Sequence, residues 1–382
     1  MYYPTIIFST FVSSKQISMK LSKIITAIEN LAPPALQESY DNSGLIIGNP
    51  KDEINKAIIS FDVTEEVIEE AKSIGANLII SHHPIIFGGL KKLNGKNYVE
   101  RCVLEAIRNN IALYAVHTNL DNILGGTNRI LAEKLGLKNL KVLKKQGNNL
   151  RKLVVFVPTN SLGKVQEAIF AAGAGHIGKY DQCSFQLKGN GTFRALDGAN
   201  PFVGELNKQH QEEEVRLETV FPSYIQGTII HAMNQAHPYE EVAYDIYPIL
   251  NSSDKIGAGI IANLDKSEGE IEFMQRLKEI TSAKCIRHTA LLNKPIRKVA
   301  LCGGSGAFLI GAAKSAGADI YITGDVKYHE FFDAEKKMII ADIGHFESEQ
   351  FTIELLFDFI KENFPTFAVQ ISDTNTNPIN YL

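Results

Sequence analysis

Two adjacent histidines, His82 and His83, close the apolar run that ends at Ile80 and stand directly before Pro84. Neighbouring strand residues point to opposite faces, so both imidazoles reach one site only where the strand ends and the chain turns. Pro84, which cannot continue a ladder, predicts that turn. A second polar set, His117-Thr118-Asn119-Leu120-Asp121, ends the next apolar run. A third, Gly344-His345-Phe346-Glu347-Ser348-Glu349, opens a helix expected to run on through FTIELLFDFI. His345 and Glu349 are four apart, so one helical turn puts their side chains on one side. Imidazoles with carboxylates suit zinc, manganese, iron or cobalt better than calcium or magnesium. The candidates His82, His83, Asp121, His345 and Glu349 exceed what one catalytic zinc takes from a protein. They therefore point to two divalent metal ions sharing a carboxylate or a water. A single histidine at a strand end is more often a hydrogen-bonded structural residue; the constellation carries the signal.

Other residues have weaker claims. His117, four before Asp121, suits an acid/base beside the metals or a buried histidine fixing the loop. The segment Thr323-Gly-Asp-Val-Lys-Tyr-His329 offers Asp325, Lys327 and His329 for substrate contact or ligand orientation, against a plain strand-to-helix turn. Cys302-Gly-Gly-Ser-Gly306 opens a helix as phosphate-cradling loops do, but matches no complete phosphate-loop pattern. His237 to Glu241 reads as packing and turn, because no partner histidine stands at ligand spacing.

These residues must be carried to the carboxyl ends of strands, where ligands bind in open parallel sheets. From Lys56 the chain reads as strand, helix and strand, with Gly75 as the helix stop. The stretch from Lys298 aligns with it without a gap and repeats Ala-Lys-Ser-x-Gly-Ala at Ala71–Ala76 and Ala313–Ala318. An internal duplication is the simplest account, with Gly324 and Asp325 opposite His82 and His83. Third apolar runs at 112–121 and 338–345 complete two pseudo-symmetric α/β lobes with parallel-type sheets covered by helices. Between them, strand, helix, two strands, helix and strand predict an inserted ferredoxin-like α+β domain. The expected domains are 19–148, 150–250 and 251–382.

The chain has 382 residues, 45% of them hydrophobic, too many for one ordinary core. A formal net charge of -4 lacks the basic surface that nucleic-acid phosphates require. Nucleic acid is not an expected partner. Four scattered cysteines form no C-x-x-C pair and predict reduced, mostly buried thiols in a cytoplasm. No apolar stretch is long enough for a bilayer, so no membrane partner is expected. Residues 1 to 18 read as an extension before a start at Met19.

The motifs SHHP (81–84), HTNLD (117–121), TGDVKYHE (323–330) and GHFESE (344–349) together resemble the NIF-three-like (NGG-interacting factor three) family, whose members are also named GTP cyclohydrolase I type 2 homologs. The resemblance covers nearly the whole chain from Met19. It implies two metals held by His82, His83, Asp121, His345 and Glu349. It also implies an inserted PII- and CutA-like domain ending around His237–Asp245, and a homohexameric ring. The implied reaction is hydrolysis of GTP to dihydroneopterin triphosphate and formate; the chemistry of that reaction, rather than the resemblance, suggests His117 or His329 for moving protons and Lys327 with the Gly303–Gly306 loop for holding the triphosphate. A non-catalytic metal-binding or regulatory oligomer, and a metallohydrolase of another nucleotide or a phosphoester, stand as alternatives.

Overall fold

The computed structural model describes residues 18–382; the leading segment at 1–17 lies outside the described residues. The chain divides into two compact units, one up to Leu140 together with Ile261–Leu382, the other Lys141–Ile260. The two segments that share Ala-Lys-Ser-x-Gly-Ala both belong to the first.

The strands that carry the motifs are apolar throughout because both of their faces are covered. In the five-stranded sheet the spatial order is Ala368–Ile371, Lys56–Ser60, Leu78–Ser81, Ala112–Ala115 and Gly44–Ile47. Ile59, Leu78, Ile80 and Tyr114 face one core, shared with Leu21, Ile24 and Ile28 of helix Leu21–Leu31 and with Leu356 and Ile360 of helix Thr352–Asn363. The alternate residues Ile58, Ile79 and Leu113 face the other, closed by Val67, Ile68 and Ala71 of helix Glu65–Ser73 and by Cys102, Val103 and Ala106 of helix Tyr98–Arg108. Each fully buried aliphatic side chain contributes roughly 1.5–3 kcal/mol of transfer free energy. Helix Glu65–Ser73 begins where the Thr64 hydroxyl accepts the Val67 N–H and ends at Gly75 in the left-handed region.

The second sheet has the order Arg287–His288, Ile339–Asp342, Ile320–Gly324, Ile296–Ser305, Gly257–Glu268 and Lys138–Lys145. Each sheet thus contains three adjacent parallel strands in chain order. In each, an antiparallel strand lies against the third of them: Gly44–Ile47 on Ala112–Ala115, and Arg287–His288 on Ile339–Asp342. The expected parallel-type sheets are therefore mixed, because both antiparallel strands sit at a sheet edge.

A second difference concerns the motif helix. It forms two pieces, His345–Glu349 and Thr352–Asn363. The Gln350 side chain between them donates to the Thr281 and Glu347 carbonyls, which anchors the first turn separately.

Within 141–260, strands Leu150–Pro158, Ser184–Arg194, Gln209–Pro222 and Tyr244–Pro248 form an antiparallel sheet in the order fourth, first, third, second. Helices Leu162–Ala171 and Gln226–Ala236 contribute Val165, Ile169, Ile229 and Met233 to the core on one face. His237 has both ring nitrogens engaged, Nε2 with the Phe156 carbonyl at 3.0 Å and Nδ1 accepting the Tyr239 N–H at 3.1 Å. Neither is left for a metal.

Candidate metal centre

Parallel register decides what meets at the strand ends. Ser60 pairs with Ser81 and Ser81 with Ala115, so one step past the ladder Phe61, His82 and Val116 stand abreast, and two steps past it Asp62, His83 and His117. The His82 and His83 N–H groups continue the ladder onto the Ser60 and Phe61 carbonyls. In the second sheet Thr323 pairs with Asp342, which brings Asp325 alongside the Gly344-His345 turn.

Each of four imidazoles is fixed through Nδ1. His82 Nδ1 meets the Val116 carbonyl at 2.9 Å, His83 Nδ1 the Asp62 carboxylate at 2.8 Å, His117 Nδ1 the Asp41 carboxylate at 2.7 Å, and His345 Nδ1 the Asp325 carboxylate at 2.7 Å. Each of these oxygens only accepts, so Nδ1 donates and the Nε2 atoms are directed inward as ligands. Asp325 does this from the left-handed region, φ 54°, with the Ser305 hydroxyl donating to the same oxygen at 2.6 Å.

The inward atoms form three overlapping groups of convergent donors: His82, Asp121 and Glu349; His83, His345 and Glu349; and His82, His83 and His117. In the second group His345 Nε2 lies 3.1 Å from Glu349 Oε2 and 3.2 Å from His83 Nε2, and His83 Nε2 lies 3.5 Å from Glu349 Oε2. In the first, His82 Nε2 lies 3.6 Å from Glu349 Oε2 and 3.9 Å from Asp121 Oδ1. A tetrahedral ion with bonds of about 2.0–2.1 Å sets its ligand atoms about 3.3–3.4 Å apart. The donor set fits. His82 Nε2, Asp121 Oδ1 and Glu349 Oε2 are moreover buried without a hydrogen-bond partner, a costly arrangement for three polar atoms that a cation relieves.

The electrostatics agree. Burial raises the Asp121 carboxyl above its ordinary value, with His82 opposing and the Glu349 charge adding to the rise. Burial also works against charge on Glu349, but the imidazoles of His345, His82 and His83, close around its carboxylate, outweigh it and hold that carboxyl well below the usual range. Burial disfavours the charged forms of His83 and His345 too; Asp62 and Glu349 nevertheless lift His83 to about 9, and Glu349 and Asp325 lift His345 to about 10. Protons thus collect where positive charge is wanted.

The loop Cys302–Gly306 has a different part from the phosphate cradle its glycines suggested. The amides of Gly303, Gly304 and Gly306 are donated to Asn128, Ser348 and Thr323, leaving none of the three for a phosphate. The glycines instead make room for a carboxylate: a Cβ on Gly303 would sit 2.6 Å, and on Gly304 2.5 Å, from Glu349 side-chain atoms. Gly304 also has φ 61°. Gly304→Ala is therefore expected to displace Glu349 and destabilise the fold by about 1–3 kcal/mol, read as a lower thermal midpoint with less bound metal.

Lys327 and His329 do not join the donors. Both are exposed on the turn after Asp325, where the Lys327 N–H donates to Glu330 and His329 packs on Tyr328 and Phe332. Sequence reasoning missed Asp62, Asp41 and Asn128. Asp62 had a signal, lying two residues past its strand as His83 does. Asp41, before an edge strand, had none. Of the cysteines, Cys102 and Cys302 are buried, Cys183 is half-buried and Cys285 exposed, with all four unbridged, so the expected burial holds for two.

The family model described as Duf34/NIF3 (NGG1p interacting factor 3) matches residues 19–378. The chain belongs to the Duf34/NIF3 family. Two relatives named "GTP cyclohydrolase 1 type 2 homolog" are 38% identical to this NIF3 chain. The Halalkalibacterium halodurans protein aligns over 94% of the chain and 98% of its own length, the Bacillus subtilis protein over 96% and 99%. A crystal structure of a Bacillus cereus protein related to NIF3 shares 37% identity, covering 97% of this chain and 100% of that one, with a TM-score of 0.83. This NIF3 chain has no helix among its described residues long and apolar enough to cross a membrane.

Proposed function

We propose that this chain is a dinuclear metal-dependent hydrolase whose ligands are His82, His83, Asp121, His345 and Glu349, with zinc foremost and manganese, iron or cobalt as alternatives. The observation that carries the reading is the sharing of Glu349 by two donor groups, one completed by His82 and Asp121 and the other by His83 and His345. Bound divalent ions supply a water acidic enough to ionise near neutral pH and polarise the bond it attacks. His117 is the proposed proton carrier, because Asp41 holds its Nδ1 and Nε2 is left toward the donors. The structure favours it over His329, which lies on an exposed turn. Lys327 and Asp325 are proposed as the residues nearest the substrate on the second sheet, Asp325 acting also through His345.

The names of the relatives support GTP as the substrate. Water would add at C8 of the guanine ring and open it to a formamide, a second water would release formate, and rearrangement of the ribose with closure onto the freed amine, returning one water, would give dihydroneopterin triphosphate. Phe87, which is exposed, fits a planar ring near the donors, its ring meeting that of His117 at 5.7 Å. We also infer that residues 141–260 are the inserted ferredoxin-like, PII- and CutA-like domain, and that the chain assembles as a hexameric ring, which its mass in solution tests.

The deciding experiment measures metal per chain, then formate release and fluorescent pterin from GTP, with His82→Ala alongside. Turnover lost in His82→Ala supports the enzyme. Full metal content without turnover of any nucleotide or phosphoester rejects it in favour of a storage or regulatory protein, a reading that the deep burial of His82 and Glu349 fits as well.

A further inference from the structure

The edge strand Ala368–Ile371 runs parallel to Lys56–Ser60, and the Ser372 N–H continues its ladder onto the Ile59 carbonyl. Beyond it the backbone has no regular partner, yet Ser372, Thr374 and Thr376 are half-buried while Asp373 and Asn375 are exposed. This period of two turns three hydroxyl-bearing side chains to one side. The first two meet Glu70: Ser372 Oγ at 2.5 Å and Thr374 Oγ1 at 2.7 Å, with the Asp373 N–H at 2.9 Å. The third, Thr376 Oγ1, donates to Asp62 Oδ2 at 2.7 Å. The other oxygen of that carboxylate, Oδ1, is the one that fixes His83. One residue on, Asn377 Nδ2 donates to Glu347 Oε1 at 3.3 Å, on the short helix that carries His345 and Glu349.

We infer that segment 372–377 is a strap that positions the metal centre. Glu70 anchors it, Thr376 fixes the rotation of Asp62 and through it His83, and Asn377 ties the same segment to the helix bearing His345 and Glu349. Asp62 has two oxygens and two partners; without the Thr376 hydroxyl its carboxylate is free to turn about its last torsion, and the His83 imidazole loses a fixed acceptor. The strap spans donors supplied by both sheets, so it bears on the separation of His83 and His345, which share one donor group. A segment that merely finished the edge strand would need only its bonds to Ile59 and Glu70. Thr376 and Asn377 are therefore positioning residues, and the inference rests on the metal reading of the five ligands.

The test is a competition titration of zinc against a chromogenic chelator, with thermal midpoints measured in parallel on the full chain. Outer groups that orient metal ligands typically carry roughly 10–100-fold in affinity. Thr376→Val is expected to weaken zinc binding about 10-fold, Thr376→Ser to restore it, and the double variant with Asn377→Ala to weaken it further. Ser372→Ala, which loosens only the Glu70 anchor, is expected to lower the midpoint more than the affinity. Zinc affinity of Thr376→Val within about twofold of the unaltered chain, well short of the effect of an orienting group, would overturn the strap whatever the midpoint does. Equal loss in Thr376→Ser and Thr376→Val would overturn it too, since the hydroxyl would then be irrelevant. If the unaltered chain bound no zinc, the metal reading and the strap would fall together; normal binding with unaffected variants would sink the strap alone.

Discussion

Glu349→Gln is expected to leave the chain without metal, whereas Asp121→Asn and His345→Ala each leave about half the normal content. Asp121 belongs to one donor group and His345 to another, but Glu349 Oε2 belongs to both. Glutamine keeps the volume of the side chain and removes its charge. Its amide oxygen is a weaker ligand, and its amide nitrogen would point a donor at imidazole nitrogens prepared as ligands. The loss of affinity should exceed the roughly 10–100-fold typical of an outer orienting group. Glu349 has no alternative position, because Gly303 and Gly304 close around it and its carboxylate is buried. Elemental analysis after dialysis against trace zinc decides the matter: Glu349→Gln retaining as much metal as Asp121→Asn would refute the shared-ligand arrangement.

The contrast among these three variants also separates what the chain's sequence made legible from what it did not. Strands such as Leu78–Ser81 were readable because burial on both faces makes them apolar throughout, and the polar residues at their ends stood out against that background. His82, His83, Asp121, His345 and Glu349 were therefore nameable in advance, and the structure brings all five together. Asp62 and Asn128 escaped notice because their importance depends on cross-strand register and on one loop meeting another, as when Asn128 accepts the Gly303 N–H. Asp41 is remote in sequence and reaches His117 only through the edge strand's return. The glycines of 302–306 were visible but misread, since a glycine that makes room for a side chain looks the same in sequence as one that makes room for a phosphate. Lys327 and His329 were grouped with Asp325 by proximity in the chain; the left-handed turn at Asp325 sends both of them to the surface.

The same charges that prepare the site for metal predict opposite pH responses for stripped and loaded protein. His83 and His345 are lifted to about 9 and about 10, above the ordinary 6.5, because Asp62, Glu349 and Asp325 outweigh the burial that disfavours their charge. A group whose pKa is raised by folding adds stability that is complete below its unfolded value and lost as pH rises through the folded one. Stripped protein should therefore lose stability steadily above about pH 6.5. Metal occupies the Nε2 atoms that those protons hold, so binding expels protons and strengthens with pH over the same interval. At free metal about a hundred times the dissociation constant, binding adds about 2.7 kcal/mol, or roughly 5–10 °C in midpoint for a unit of this size. The gap between loaded and stripped midpoints should widen from about pH 6.5 to about pH 9, even as the stripped midpoint falls. Thermal scans in metal-buffered and chelator-treated samples across that interval measure it. A gap that narrowed with rising pH would mean that the metal does not replace these protons, and that His83 and His345 are not its ligands.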